Sequence, residues 1–414
     1  MHAYPAQLAD FVLDHWPETM PAWPSRRLLV ELLSTCFQAS LAREEGRAVR
    51  FRLVTASQAR LEQAASAEDF MCLEFSEPNV FTPDSVRRLS PAAPFPSSVI
   101  AAAPLDDERW SMTSIVHTGS SWLAPSWGGR RAQGESIGLP MVHVLGPGRL
   151  AVYAGADLVA SLEHGMIQST TTDVFTSRWL NTRFRSARLQ VKQGLDEAAG
   201  PRSLNEALVR TISQYLVRRI VVLIRQAAHG GLILFADPDL VAACCANKSK
   251  VLKLKYAFRG STVGSRYRAL LQRLGSLLGP LGDGESDLQR FLDADTPDVE
   301  RVEQSVFELS RLVSGLAAVD GAVLINKRFE LIGFGAEVSG ELPYPDMVFQ
   351  ALDLEGEKRD EDPANSVGTR HRAAYRFVTA HPGGVAIVVS SDGIVRFVAN
   401  LDGDVVFWDQ FLNW

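Results

Sequence analysis

Residues 368–374 read GTRHRAA, followed by YRFVTA at 375–380 and HPGG at 381–384. Ala373, Ala374, Phe377 and Val378 recur at helical spacing, and the His-Pro-Gly-Gly run ends the pattern. The stretch therefore predicts a helix with Thr369 as its N-cap. That helix opens on Arg370, His371 and Arg372. A helix N-terminus carries unsatisfied N–H groups and a partial positive charge, so carboxylates are the side chains that stabilise it. Cations become favourable there when an anion binds among them, and a phosphate chain held by guanidinium forks is the common case. A solvated basic turn is the plain alternative. The rest of the chain decides between the two.

Working outward, residues 383–408, GGVAIVVSSDGIVRFVANLDGDVVFW, read as consecutive strands with turns at Asp392-Gly393 and Asp402-Gly403. Upstream, a helix over 299–317 carries Val306, Leu309, Leu312, Val313 and Leu316 on one stripe and delivers the chain to Asp320-Gly321-Ala322 and a strand VLIN. A carboxylate at a strand mouth can hold a divalent metal, a glycine lets backbone approach a ligand, and arginines offset phosphate charge. Earlier still, Leu204 to Leu223 follow helical spacing that stops at His229-Gly230-Gly231, with His229 as the expected cap. Leu232 to Phe235 form a short strand, 236–239 a turn, and VLKLKYAF at 251–258 alternates as a strand. The acidic segment 278–304 lacks the spacing of a calcium loop and reads as a solvated connection. Residues 355–366, EGEKRDEDPANS, read as a charged loop within a longer loop, 340–367, placed to cover or obstruct the site.

The chain of 414 residues predicts two or three domains. A net charge of −6 argues against a general nucleic-acid binder. Cys36, Cys72, Cys244 and Cys245 lack zinc spacing and read as reduced core thiols, which suits the cytoplasm. The N-terminus lacks the pattern of a signal peptide, and the most apolar helix is interrupted by Arg218, Arg219 and Arg225, so no membrane span is expected. The first 195 residues read as an α+β domain. They hold a proline-rich stretch, 78–104, expected to be a loop or linker and a sub-boundary, then β-rich runs with a turn at LGPG, 145–148. Trp122 and Trp127, set among glycines and serines, read as lids over a small core or as the lining of a pocket. His117, His143 and His164 lack metal spacing and read as core or surface residues.

The order DGAVLI, GTRHRAA and IVVSSDGIV resembles the diadenylate cyclase domain, especially the nucleotide-binding domain of the DNA-integrity-scanning type. The resemblance spans about residues 204–412, with AHGGLILF and VFELSRLVSGLAAVDGA matching its lead-in half. It implies an α/β domain with a central mixed sheet, occupying 204–414. That domain would bind ATP with a divalent metal, magnesium or manganese, and condense two ATP into cyclic di-AMP across a face-to-face homo-oligomer. Carried over by motif, Asp320 holds the metal and readies the ribose 3′-hydroxyl, and Gly321 lies against the nucleotide. Gly368 starts the phosphate-binding turn, Thr369, Arg370, His371 and Arg372 grip the phosphates, and Ser390 touches phosphate. Asp320, Gly321, Arg370 and His371 are thus the expected catalytic set. Where family members carry further acidic residues after that serine, this chain has Ser391 and Asp392, so Asp392 is the local candidate for a second metal carboxylate. The N-terminal 195 residues resemble a sensor module that regulates the cyclase and whose ligand is unknown. The alternative is a cyclase-like domain that binds ATP or cyclic di-AMP without turnover.

Overall fold

The structure, a computed structural model, describes residues 2–68, 70–95, 97–118, 138–155, 157–163, 165–168, 173–199, 204–259, 262–278, 287–294, 296–391 and 393–410. The described residues divide into two compact units, those up to 168 in the first and those from 173 in the second. Both are mixed α/β, each built on one large mixed sheet flanked by helices.

The first unit runs α1 (Pro5–Asp14), α2 (Arg26–Ser40), β1 (Arg43–Glu44), β2 (Arg47–Ala48), β3 (Phe51–Thr55), α3 (Gln58–Glu68), β4 (Met71–Val80), α4 (Pro83–Leu89), β5 (Ser98–Pro104), β6 (Trp110–His117), β7 (Pro140–Gly146), β8 (Arg149–Ala154), β9 (Asp157–Glu163) and β10 (Met166–Gln168). Its eight-stranded sheet has the order β10-β9-β8-β7-β3-β5-β6-β4, with β3 and β5 parallel and the other pairs antiparallel. Side chains alternate across a pleated sheet. On one face Phe51, Leu53, Val142, Val144 and Val152 therefore meet Leu8, Val12, Leu29, Leu32 and Leu33 of α1 and α2. The other face carries Val54, Val99, Ala101, Val116, Met141 and Tyr153, with Leu61 of α3 against them.

The proline-rich stretch 78–104 is not a linker. Pro83 occupies the first turn of α4, where a missing N–H costs nothing, and Thr82 caps that helix by accepting from Ser85 N at 3.2 Å. Ser98–Pro104 is β5, an interior strand of the sheet, because the apolar run VIAAA overrides the prolines around it. No sub-boundary falls there. The LGPG turn does join a hairpin, β7 to β8.

The second unit runs α5 (Arg178–Ala199), α6 (Glu206–Ala227), β11 (Gly231–Ala236), α7 (Pro238–Cys245), β12 (Leu252–Ala257), α8 (Thr262–Leu278), α9 (Asp287–Asp293), α10 (Pro297–Leu316), β13 (Ala322–Asn326), β14 (Leu331–Val338), β15 (Met347–Ala351), β16 (Arg359–Pro363), α11 (Thr369–Ala380), β17 (Val385–Val389), β18 (Val395–Leu401) and β19 (Asp404–Gln410). The nine-stranded sheet has the order β12-β14-β13-β11-β17-β18-β19-β15-β16. Only β11 with β13 and β15 with β19 are parallel. One face packs α11 through Ala374, Tyr375, Phe377 and Val378 against Leu232, Leu234, Ala386 and Val388. Full burial of a side chain such as Phe377 contributes about 1.5–3 kcal/mol. On the other face Phe235, Ile325 and Phe329 meet Leu216, Val217, Ile220, Leu309 and Val313 of α6 and α10.

This unit begins near 171, not near 200. The N–H groups of Arg178 and Trp179 donate to the Glu355 carboxylate at 2.9 and 3.2 Å, and Trp179 stacks on Trp408 at 4.3 Å, so α5 belongs here. Residues 355–366 are not a loop. They contain β16, an outer strand whose charges suit a solvated edge. The segment 340–367 thus extends the sheet at the edge beyond β19, away from β11 and β13. The 236–239 turn is the start of α7, with Asp237 as N-cap. Asp402 and Gly403 both have positive φ, 56° and 101°, the geometry of a two-residue hairpin turn.

Candidate functional site

The site follows from strand register. β11 and β13 run parallel with Ile233 beside Val323, so the residues preceding them, His229-Gly230 and Asp320-Gly321, emerge at the same end of the sheet. β17 lies antiparallel on the other side of β11 with Gly231 beside Val389, which puts Ser390 at that same end. Helix α11 packs across β11, β17 and β18 and starts at Thr369. Neighbouring strands stand about 4.8 Å apart, so the mouth of β13 and the end of β17 are separated by roughly 10 Å. Motifs far apart in the chain are thereby gathered on one rim.

Contacts tie them together. Arg370 Nη2 donates to the His229 carbonyl at 3.2 Å. Gly230 has φ +66°, and a Cβ on it would stand 2.7 Å from Arg370 Nη1 and 2.9 Å from the Val389 carbonyl oxygen. Only glycine fits beneath that guanidinium. At the adjacent strand Gly321 has φ +103°, and a Cβ there would meet Gly335 backbone at 2.7 Å, so the Asp320-Gly321 turn is pressed onto β14. Ser390 N donates to the Ile394 carbonyl at 2.8 Å and the Ser390 carbonyl accepts from Gly393 N at 3.0 Å, closing a tight turn after β17.

The helix start differs from the sequence reading by one residue. Gly368, with φ −68° and ψ 171°, is the N-cap, Thr369 is the first helical residue, and no side chain caps the end. The first turn holds no acidic residue. Arg372 N donates to the Gly368 carbonyl, which leaves the N–H groups of Thr369 and Arg370 at the start of the helix without an intrahelical partner. Of the two arginines, Arg370 reaches the rim, whereas Arg372 Nη1 turns back to the Val367 carbonyl at 2.8 Å and braces the approach to the helix. His371 is half-buried and near Tyr375, with ring centroids 6.5 Å apart. His229 is not the helix cap. Ala228 takes that position in the left-handed conformation, and the His229 carbonyl serves Arg370 instead.

Asp320 is exposed, and no described residue forms a hydrogen bond or ion pair with its carboxylate. Lys255 on β12 pairs with Glu337 on β14 at 2.7 Å and is held above its ordinary lysine pKa, first by Glu337 and to a smaller extent by Asp320. Lys255, Glu337 and Gly230 were not singled out by sequence reasoning. The glycine pair in HGG and the alternating lysines of VLKLKYAF were the available signals. Free carboxylate oxygens at a strand mouth fit a hard divalent cation whose remaining ligands are phosphate oxygens and water. Among the described residues no three His, Cys, Asp or Glu side chains cluster as a metal cage. Asp392, the candidate second carboxylate, lies outside the described residues, as do Trp122, Trp127 and His164.

The opposite end of the sheet is internally satisfied. Lys327 Nζ and His381 Nε2 meet the Asp237 carboxylate at 2.7 and 3.1 Å. A separate apolar cavity, lined by Phe175, Phe184, Phe235, Phe397 and Arg188, lies on the sheet face away from α11.

The family described as "Probable sensor domain DACNV" matches residues 18–113, within the first unit. No curated protein matches the chain. The N-terminal module is therefore similar to a sensor domain. No helix among the described residues is long and apolar enough to cross a membrane.

Proposed function

We propose that the second unit is a diadenylate cyclase, condensing two ATP into cyclic di-AMP and two pyrophosphates under the control of the N-terminal module. The observation that carries this reading is the convergence of Asp320-Gly321, Gly230, Arg370 and Ser390 on one rim beside an uncapped, acid-free helix start. The similarity of residues 18–113 to a sensor domain supports the regulatory half.

The chain's own groups divide the work. The helix N–H groups of Thr369 and Arg370 face an anion without reorganisation, and Arg370 adds a charged fork, so the triphosphate is fixed with its charge offset. Arg372 positions that turn through Val367. Gly321, pressed onto Gly335 in a left-handed turn, sets Asp320 at the mouth of β13. Asp320 would hold a magnesium or manganese ion, which supplies neutralisation of phosphate charge and a more acidic 3′-hydroxyl. Each ATP's 3′ oxygen forms a bond to the α-phosphorus of the other, and each α-phosphorus releases pyrophosphate as its bridging P–O bond breaks. Two such rims must therefore face each other in a homo-oligomer, and positioning dominates the catalysis.

The test is incubation of the full chain with ATP and magnesium or manganese, with chromatography for cyclic di-AMP at several protein concentrations. The expected result is product and pyrophosphate in a 1:2 ratio, by the stoichiometry above, with a rate per chain that falls on dilution. Saturable ATP binding with no product under either metal would replace the cyclase with a nucleotide-binding module.

A further inference from the structure

The first unit buries a cation that no carboxylate among the described residues pairs with. Arg52 lies in the middle of β3, a central strand, and is 0% exposed. Its neighbours Phe51 and Leu53 point into the core under α1 and α2, so Arg52 projects from the opposite face of the sheet. There Nη2 donates to Thr118 Oγ1 at 3.3 Å, while Nε and Nη1 have no hydrogen-bond partner. Glu163, the one buried carboxylate among the described residues of this unit, is paired with Arg149. Arg50 stands over the Phe95 ring at 5.1 Å and adds a further positive charge nearby.

Register surrounds Arg52 with more unused polar atoms. His143 on β7 is directly opposite it, Ala151 on β8 is opposite His143, and Ser161 on β9 is opposite Ala151. Tyr153, on the same face of β8, lies with its ring 4.3 Å from that of His143. His143 Nε2, Tyr153 Oη and Ser161 Oγ are buried and without partners. A buried charge is ordinarily paired, and a buried donor left unpaired is costly. Arg52, His143 and Tyr153, side by side on β3, β7 and β8, violate this on one sheet face, and all three can donate to oxygen, so they describe a site that an oxyanion would complete.

We propose that this face of the N-terminal module is a binding site for a small oxyanion-bearing molecule, a carboxylate or a phosphate ester. Its head would sit on Arg52 with His143 and Tyr153, and its apolar body would lie along Val54, Val99 and Met141. Binding there neutralises the buried guanidinium and satisfies the Tyr153 hydroxyl, so ligand and fold stabilise one another. A sensor domain that answers to such a molecule needs no motif, only this unbalanced charge.

The test uses the full chain carrying Arg370→Ala, so that anion binding at the helix start of the second unit is weakened equally in every sample. Inorganic phosphate and acetate are titrated separately by calorimetry in chloride buffer of constant ionic strength. The expected result is saturable binding of at least one of them, the stronger arm naming the head group, and a loss of at least 10-fold in affinity on adding Arg52→Met. The midpoint of the Arg52→Met chain in anion-free buffer should be no lower than that of its parent. Tyr153→Phe should weaken binding several-fold with its midpoint unchanged or raised. Two results would overturn the proposal: neither anion binding in an Arg52-dependent way, or a marked fall of the anion-free midpoint on Arg52→Met, which would mean that the chain itself supplies the counter-charge. Because the second-unit site is weakened equally in every sample and the readout is the Arg52-dependent difference, the outcome is independent of the cyclase reading.

Discussion

The two sheets handle positive charge in opposite ways. In the second unit Arg370 stands at the rim of the sheet, half-buried and braced on the His229 carbonyl. In the first, Arg52 is buried on the flat of the sheet with two guanidinium nitrogens unpartnered. A rim site is made by turns and helix ends, so it leaves a local signature of glycines and basic residues. A face site is made by strands laid side by side, so its members are scattered along the sequence. The contrast explains why one site can be read as a motif and the other emerges only from register.

The largest effect that would break this contrast is expected at Asp320. Asp320→Ala should lower cyclic di-AMP formation about 1,000-fold, on the scale of removing one electrostatic stabiliser from a transition state. Its melting temperature should hardly change, because the carboxylate is exposed and unpartnered. Retained product in a clean preparation would remove Asp320 from the site. Next, Arg370→Ala should weaken ATP binding about 10–100-fold, the range of a charged hydrogen bond to phosphate, as read by calorimetry with the metal present.

Gly321→Ala sharpens the geometric side of the comparison. A methyl group 2.7 Å from the Gly335 backbone at φ +103° should destabilise the second unit by about 1–3 kcal/mol in urea denaturation. An unchanged midpoint would mean that the turn is not pressed onto β14.

The smallest effect concerns acid. His143 is held well below its ordinary value of 6.5, first by burial and then by the Arg52 charge. The unfolded chain therefore binds a proton near pH 6.5 that the folded chain refuses. The stabilising contribution is complete above that pH and is lost as pH falls toward the depressed folded value, with a slope of up to about 1.4 kcal/mol per pH unit. Denaturation at pH 7.5 and 5.5 should show the loss, and His143→Gln should reduce it. Arg52, Arg149, Glu163 and Tyr153 face the same region, and of these only Glu163, paired with Arg149, is a carboxylate, so a steep wild-type slope that survives the substitution would point to that pair.

Much of the second unit was legible because its signals are local. Helix α10, the strand after Asp320-Gly321, the GTRHR helix and the three C-terminal strands announce themselves by period and by Asp-Gly turns. What local reading missed has a common physical cause. Pro78–Pro104 was read as a linker, yet Pro83 suits a helix start and VIAAA suits an interior strand. Residues 355–366 were read as a loop because an edge strand tolerates the charges a central one would not. Gly230 looked like a helix stop, and its role beneath Arg370 depends on a residue 140 positions later. Arg52 was passed over inside FRLVT. A single arginine in an otherwise apolar strand was the available clue, but only the sheet order reveals that no carboxylate among the described residues comes to meet it.

The central claim, that residues gathered at one end of the second sheet form a nucleotide site, is tested most directly by hydrogen exchange with and without ATP and metal. Slowed exchange is expected together in peptides covering 368–373, 318–323 and 388–394. Protection confined to any other part of the chain, or its absence from the GTRHR turn when ATP is bound, would contradict it.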